Sequence, residues 1–209
     1  MIRHFSAAIL AVLFMSLGAA AARAEAPLNF TVTRKGDDIG TQSITFEKSG
    51  DVLNVTTTTH IAVKVLFVTA YKFTFDGTES WKEGKLVALS ARTNDNGEKH
   101  AVTVHQEKGK LILDADGKTQ DIPADTMPTS WWNTKLTGRS ALLDVLTGKL
   151  QTVSVKKAGN EKVKVGGAET AADHYVVSGG LERDLWYKDG VLVRQSLVKK
   201  GDKIEYVAK

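Results

Sequence analysis

The feature that most constrains the fold is an alternation of apolar and polar residues that repeats every two positions along most of the chain. Residues 28–33 read Leu-Asn-Phe-Thr-Val-Thr, and the same alternation runs through residues 53–61. A period of two places apolar side chains on one face of a β-strand and polar side chains on the other. The sequence therefore predicts β-strands that each bury one face in a core.

Glycine beside a charged or amide residue marks the turns between these strands. Such pairs tolerate positive φ angles and match the twist of β-hairpins. They occur at Asp76-Gly77, Glu83-Gly84, Asn96-Gly97, Lys108-Gly109, Asp116-Gly117, Asp189-Gly190 and Gly201-Asp202. Parallel strands would need crossovers of about a dozen residues, for which there is almost no room. We expect about eleven antiparallel strands, and a sheet of that size curls, splits or closes.

The predicted fold class is therefore all-β. We expect a strongly curved antiparallel meander sheet, either a half-barrel or a closed barrel, with one short helix; a two-sheet β-sandwich is the alternative. The helix is predicted at residues 141–146, which are apolar on most sides, with a cap in residues 137–140 and Gly148 just beyond its end. Its expected place is one side or end of the curved sheet.

The N-terminus has the pattern of a signal peptide. A basic residue precedes an apolar run at residues 7–17, and Ala22-Arg23-Ala24 fits a cleavage site. Cleavage between Ala24 and Glu25 would remove residues 1–24 and leave residues 25–209 as a single β-rich domain in the periplasm; an uncleaved anchor is the alternative. The apolar run is shorter than the roughly 20 residues that cross a bilayer, so we expect no membrane span in the mature chain.

The absence of cysteine and the modest charge exclude several classes of protein. Without cysteine, disulfides, thiolate metal sites and cysteine nucleophiles are impossible, and a lipoprotein lacks its acceptor residue. The formal charge is +4, and it falls to +2 when Arg3 and Arg23 leave with the signal peptide. The remaining basic residues are scattered, whereas nucleic-acid binding needs clustered charge, so we expect no nucleic-acid partner.

The most informative segment for function is residues 61–75, where no turn residue interrupts fifteen positions. A straight strand of that length would measure about 50 Å, so we expect it to bend or break near residues 68–70. Its odd positions carry large apolar side chains, which form either a filled core or the wall of a ligand cavity. The candidate ligand-binding residues here are Val65, Phe67, Tyr71, Phe73 and Phe75.

A second candidate segment is residues 123–133, which contain two prolines and end in two adjacent tryptophans, Trp131 and Trp132. Proline is excluded from central strands, so this segment is predicted to be a loop that packs back on the sheet. Adjacent side chains in an extended loop point apart, so one indole is expected to be buried and the other to lie at a mouth or surface. Both are candidate ligand contacts, with loop anchoring and partner docking as alternatives.

No pattern of catalytic or metal-binding residues stands out. The mature histidines are His60, His100, His105 and His174, and their spacing places none of them together on one strand face. The chain has no H-E-x-x-H, G-x-S-x-G or phosphate-binding glycine motif. We therefore predict no catalytic residues, no metal and no cofactor, while a site assembled from distant strands stays open.

Several motifs, taken in order, resemble exported proteobacterial proteins that are grouped as domain-of-unknown-function families. The motifs are residues 36–40 (Gly-Asp-Asp-Ile-Gly), Glu79-Ser80-Trp81 with Gly84-Lys85-Leu86, Pro128-Thr129-Ser130-Trp131, Leu143-Asp144 with Thr147-Gly148, and Asp184-Leu185-Trp186-Tyr187 with residues 190–193. The resemblance covers nearly the whole mature chain and implies a β-rich fold without an established activity. At the level of the fold, the pattern is also similar to lipocalin-like proteins and periplasmic lipoprotein carriers, whose curved sheets bind acyl chains.

Three hypotheses for function follow. The first is a periplasmic, non-enzymatic binding protein whose curved sheet holds a lipid or another hydrophobic small molecule. The second is an envelope protein with a filled core that binds another protein. The third is an enzyme. A hollow concave side favours the first hypothesis, and a filled one favours the second.

Overall fold

The structure, a computed structural model, describes residues 26–209. Within this range, the segments with alternating polarity form β-strands. The predicted signal peptide at residues 1–24 lies outside the described residues. The strands are β1 (Leu28–Arg34), β2 (Asp37–Ser49), β3 (Val52–Val65), β4 (Val68–Lys82), β5 (Lys85–Asp95), β6 (Glu98–Glu107), β7 (Lys110–Ala115), β8 (Lys118–Ile122), β9 (Ala141–Leu143), β10 (Leu150–Val165), β11 (Ala168–Gly179), β12 (Arg183–Lys188), β13 (Val191–Lys199) and β14 (Asp202–Ala208).

All fourteen strands belong to one antiparallel sheet, in the order β8-β7-β6-β5-β4-β3-β2-β1-β14-β13-β12-β11-β10-β9. Neighbouring strands in the sheet are also consecutive in the chain, except for β1 and β14. These are the first and last strands of the chain, and they pair with Phe30 opposite Ala208. The predicted all-β, curved antiparallel meander is confirmed. The strand count is higher than the expected eleven in part because residues 61–75 divide between β3 and β4 and residues 141–143 form β9.

The sheet curls until strands that are distant in its order meet. The ammonium group of Lys199 on β13 lies 2.7 Å from Asp95 Oδ2 on β5, although β4, β3, β2, β1 and β14 separate these two strands in the sheet. Apolar side chains fill much of the concave face, and Phe30 and Val32 of the central strand β1 are fully buried there. The curl is that of a half-barrel, since β8 and β9 remain the two edges.

The long connection between β8 and β9 covers part of the concave face and protects one sheet edge. Thr129 donates its backbone N–H to the carbonyl of Leu143 at 2.9 Å, and Leu143 donates in turn to the carbonyl of Met127 at 2.9 Å. These bonds occupy the free edge of β9, which would otherwise offer unpaired backbone groups to another chain.

The predicted helix at residues 141–146 is wrong. Residues 141–143 are β9, which pairs with β10, and the described chain contains a single helical turn, of the 3-10 type, at Thr134–Leu136. Strand pairing lets Leu142 and Leu143 be fully buried. Asp144 then closes a tight turn, because its carboxylate accepts hydrogen bonds from the Leu146 backbone at 3.0 Å and from the Thr147 hydroxyl at 2.6 Å.

The expected break in residues 61–75 occurs two residues earlier than predicted, as a tight turn at Leu66 and Phe67 between β3 and β4. A two-residue turn reverses which positions face inward, and this would place even-numbered residues of β4 in the core. A β-bulge at Ala70 adds one residue and restores the odd-numbered positions to the inner face. The alternation therefore passes unbroken through the turn, which is why the sequence pattern conceals it.

The predicted turn at Asp76-Gly77 is also wrong, since both residues lie inside β4. Gly77 has no side chain, and the ring of Phe75 occupies that space: a Cβ atom built on Gly77 would lie 2.7 Å from the tip of the ring. A glycine inside a strand commonly marks such a close approach rather than a turn.

Candidate functional site in the concave face

The concave face is hollow beside β4 and β13, where the curl of the sheet leaves more room than the side chains fill. Two adjoining cavities lie there, each with a volume of about 220 Å³. They share the lining residues Phe73, Leu146, Arg183, Leu197 and Tyr206. Each is smaller than most ligand pockets, which span about 300–1,000 Å³, but the two together fall inside that range.

The first cavity contains a buried chain of hydrogen bonds contributed by four strands, β12, β13, β2 and β3. The Arg183 guanidinium donates to Gln195 Oε1 at 2.5 Å, the Gln195 amide donates to Gln42 Oε1 at 3.0 Å, and the Gln42 amide donates to Thr59 Oγ1 at 2.9 Å. Gln195 and Thr59 are almost completely buried. Because each amide uses its oxygen on one side and its nitrogen on the other, the chain fixes the orientation of all four side chains.

Arg183 is the charged end of this chain and lies where the two cavities meet. Its guanidinium carbon is 4.9 Å from the centre of the Trp131 ring, which gives it a cation–π contact. Burial lowers the pKa of Arg183 from its usual value, although the guanidinium stays charged. Among residues 26–209, no carboxylate lies within ion-pair distance of it. The cavity thus contains a partly buried cation whose charge the protein leaves unpaired.

A buried carboxyl group, Glu79, borders the opposite side of the first cavity. It accepts hydrogen bonds from the Ser130 hydroxyl and, at 2.8 Å, from the Trp81 indole. Burial raises the pKa of Glu79, and these hydrogen bonds oppose the rise only in part. The group connects β4 to the loop that carries Trp131, because Ser130 is the residue just before that tryptophan.

The second cavity is more apolar and opens beside charged groups at the end of the sheet. Its walls include Ile61, Val63, Leu197 and Ile204. At its mouth, the Lys199 ammonium donates to the Tyr71 hydroxyl at 2.9 Å and to Asp95 at 2.7 Å. An apolar interior with a polar mouth suits a ligand that has a hydrocarbon part and a polar part.

The structure brings four of the predicted site residues to the cavities. Phe73 lines both cavities, Tyr71 lines the second, and Phe75 and Trp131 line the first. Trp131 is held in place because the Tyr187 hydroxyl donates to its carbonyl oxygen at 2.6 Å.

The remaining predicted site residues lie elsewhere. Phe67 is fully exposed at the β3–β4 turn, so its expected place in a cavity wall is corrected. Trp132 packs edge-on against Trp81 and Phe46, with ring centres 5.7 and 5.3 Å apart, and lines neither cavity. Val65 ends β3, but its side chain is outside what the structure describes.

Sequence reasoning missed Arg183, Gln195 and Glu79. Each is a polar residue in a strand, no catalytic or ligand-binding motif surrounds it, and long-range contacts define its role, across 153 residues in the case of Gln195 and Gln42. The signal that could have identified them is a polar residue at an inward-facing position. Inward-facing positions can be assigned only when the register of the strands is known.

The histidines lie away from the cavities. On the convex face, both ring nitrogens of His174 meet carboxylates, Glu161 at 2.8 Å and Asp184 at 2.9 Å, and its ring stacks on Trp186. Asp116 and Glu98 raise the pKa of the half-buried His100 at a hairpin end. Within the described part of the chain, no cluster of three or more His, Asp or Glu side chains is arranged to hold a metal ion.

In residues 26–209, no helix has both the length and the apolar character needed to cross a membrane. No curated protein matches the chain. One solved structure that does is described as a beta-barrel-like protein of domain of unknown function DUF1849 from Brucella abortus. It is 12% identical, has a TM-score of 0.61, and the match covers 88% of this chain and 94% of that one. At this identity the likeness establishes the fold alone.

The sequence resemblance to a β-rich family without an established activity is confirmed by a family match over residues 30–209, which contain almost all of the described sheet and both cavities. The chain belongs to the family defined by the domain of unknown function DUF6134.

Proposed function

We propose that this protein is an exported binding protein that holds a small amphiphile in the concave face of its curved sheet. The observation that carries the proposal is the pair of adjoining cavities, which combine apolar walls with a few fixed polar groups. Ligand sites in proteins commonly have this composition. Export to the periplasm is part of the proposal and rests on the signal-peptide pattern of residues 1–24.

The apolar walls supply the affinity in this proposal. Burying hydrocarbon contributes about 25 cal/mol per Å² of apolar surface, before the cost of ordering the ligand is subtracted. Phe73 on β4 and Leu197 on β13 both border the two cavities. A hydrocarbon chain that passes from one cavity to the other would therefore contact both side chains.

Two neighbouring positions on β13 allow a matched test of this proposal. Leu197 lines both cavities, whereas the side chain of the next residue, Val198, is 67% exposed. We expect Leu197→Trp to fill the junction and to weaken binding of decanoate at least tenfold, and we expect Val198→Trp to bind like the wild type. Isothermal titration calorimetry with decanoate measures the affinities, and native mass spectrometry of the purified protein detects a co-purified ligand.

The proposal fails if wild-type protein carries no ligand and binds no amphiphile, or if Leu197→Trp and Val198→Trp bind equally well. Both variants should show a cooperative thermal transition, so that a loss of binding is not a loss of folding. Trp131 lines the first cavity and gives a second readout, because a ligand in that cavity should change its fluorescence.

A further inference from the structure

We infer that the ligand is anionic and that the guanidinium of Arg183, at the junction of the two cavities, binds its charged head group. This inference rests on the proposed function and specifies the class of ligand. It starts from an imbalance: of the other cations that border the second cavity, Lys199 is paired with Asp95 and Arg34 with Asp202, while Lys200 is exposed to solvent. Arg183 has no such ion pair among residues 26–209: its direct partners, Gln195 and the Trp131 and Tyr206 rings, are neutral. The Asp144 carboxylate lines the first cavity and attracts Arg183 from beyond ion-pair distance.

The geometry around Arg183 leaves its hydrogen-bonding capacity largely unused. A guanidinium carries five N–H donors, and the structure gives Arg183 one hydrogen bond, from Nη1 to Gln195. Gln195 is itself held by Gln42, which is held in turn by Thr59, so the guanidinium is fixed before any ligand arrives. A preorganised donor set with spare N–H groups fits a carboxylate or a phosphate oxygen pair.

The two cavities then have separate roles. The head group lies at the junction against Arg183, and the hydrocarbon part extends along the apolar side chains of the second cavity, such as Ile61 and Ile204. Burying an anion without a cationic partner costs free energy. Because Arg183 supplies that partner, the site favours an anionic ligand over a neutral ligand of the same length.

A comparison of decanoate with 1-decanol tests the head group separately from the hydrocarbon chain. At pH 8, we expect wild-type protein to bind decanoate at least tenfold more tightly than decanol. Arg183→Gln should remove this preference while the affinity for decanol stays the same. Arg194→Gln is the matched control. Arg194 packs over Trp186, which belongs to a separate apolar cluster with Val163 and Val193. The Arg194→Gln variant should keep the preference for decanoate.

Each outcome has a distinct meaning. Equal binding of decanoate and decanol by wild-type protein, or an unchanged preference in Arg183→Gln, overturns the anionic head group but leaves the proposed function standing. Binding of neither compound overturns both.

A different observation carries a second inference: we propose that the tip of the β3–β4 hairpin inserts into an anionic lipid surface. Residues 62–72, called the arm here, form no strand pairs with the rest of the described sheet, because β2 pairs with β3 no further than Ile61 and β5 pairs with β4 from Phe73 onward. At the base of the arm, the Asn96 backbone N–H donates to the Lys72 carbonyl at 2.8 Å. The tip of the arm thus lies about 15 Å, at 3.3 Å per residue, beyond the last residues of β3 and β4 that pair with the rest of the sheet. Nearer the base, Val63 and Tyr71 still line the second cavity.

The tip of the arm is apolar and its base is basic. Leu66 and Phe67 are 86% and 101% exposed, and the following Val68 is also exposed. The arm has no acidic residue, and its two lysines, Lys64 and Lys72, are exposed and form no ion pair among residues 26–209. Apolar side chains that enter a bilayer below lysines that reach the head groups are typical of proteins that bind anionic membrane surfaces.

The backbone at the tip supports a role other than folding. Leu66 and Phe67 have φ angles of 46° and 68°, a conformation that suits asparagine or glycine and strains larger residues. Every other two-residue hairpin turn in the described chain contains a glycine, whereas this one has none. Such strain, kept at a position where Asn-Gly would relieve it, points to a functional use of the side chains.

Co-sedimentation with vesicles tests the arm. We expect wild-type protein to bind vesicles that contain phosphatidylglycerol more tightly than phosphatidylcholine vesicles, and Leu66→Asn/Phe67→Gly to lose at least tenfold in affinity. Val198→Ser, which removes an exposed apolar side chain elsewhere, should bind like the wild type. Absence of vesicle binding by the wild type overturns the proposal, as does equal binding by the double variant. Self-association through the tip without vesicle binding would assign it to a second copy instead and also overturn it.

Discussion

Single residues define the polar features of the concave face. The charge of Arg183 is met by the neutral amide of Gln195, and the carboxyl group of Glu79 is met by a hydroxyl and an indole. Neither ionisable group has an oppositely charged partner within ion-pair distance in the part of the chain that is described. Buried charges are usually paired, so both groups reduce the stability of the fold and are better explained by function than by packing.

The buried carboxyl of Glu79 gives a prediction about pH. Burial raises its pKa in the folded protein, whereas the carboxyl group titrates near 4.3 in the unfolded chain. Between these two pKa values, the folded protein keeps a proton that the unfolded chain has released. The free energy of unfolding therefore falls as pH rises through this window, by about 1.4 kcal/mol for each unit by which the pKa is raised.

Glu79→Gln should remove this dependence. The glutamine amide imitates the protonated carboxyl, since its oxygen can accept from Trp81 and its nitrogen can donate to Ser130. We expect the variant to match the wild type at pH 4 and to exceed its stability above pH 7, as measured by urea denaturation. Glu169→Gln, at an exposed position, should follow the wild-type curve. Parallel curves for wild type and Glu79→Gln would show that the carboxyl group is not desolvated.

At the scale of the elements, the β3–β4 hairpin shows how far sequence patterns reach. The alternation correctly predicts that residues 61, 63, 71, 73 and 75 face inward. It misses the turn, because the bulge at Ala70 cancels the change of face that the turn causes. A pattern with a period of two records which face a residue occupies and carries no information on chain direction, so a turn and a bulge in combination are invisible to it.

The same hairpin gives a prediction about stability. Leu66→Asn/Phe67→Gly places the residues that this turn geometry favours and removes no buried side chain, because both native side chains are exposed. We expect the free energy of unfolding to rise by about 1–2 kcal/mol, the scale of the strain for residues with positive φ. Thermal denaturation measures it. A decrease in the melting temperature would show that Leu66 and Phe67 stabilise the fold through contacts with the body of the protein.

The failed helix prediction has a related cause. The apolar residues of the segment and its final glycine are compatible with either a short helix or a strand followed by a tight turn. Tertiary burial decides between them: Leu142 and Leu143 are fully buried in the strand, and the buried Asp144 supplies the turn's hydrogen bonds from its own side chain. An isolated helix of two turns has little stability of its own to oppose this.

At the scale of the whole molecule, the curl of the sheet produces the candidate site. The all-β class, the single antiparallel meander and its curvature follow from alternation and turn spacing, and the structure confirms them. The cavities do not follow in the same way, since they depend on which strands meet across the curl. The contact of Lys199 with Asp95 and the pairing of β1 with β14 are examples of long-range contacts that no local pattern encodes.

The central claim is that the two adjoining cavities of the concave face hold an amphiphile. Anomalous diffraction from crystals grown with 10-bromodecanoate tests it most directly, because bromine marks the end of the hydrocarbon chain. The account predicts a bromine peak in the second cavity, near Ile61 and Ile204, with the carboxylate against Arg183. It is contradicted if the ligand is absent at saturating concentration and the side chains of Phe73 and Leu197 close the space between the cavities.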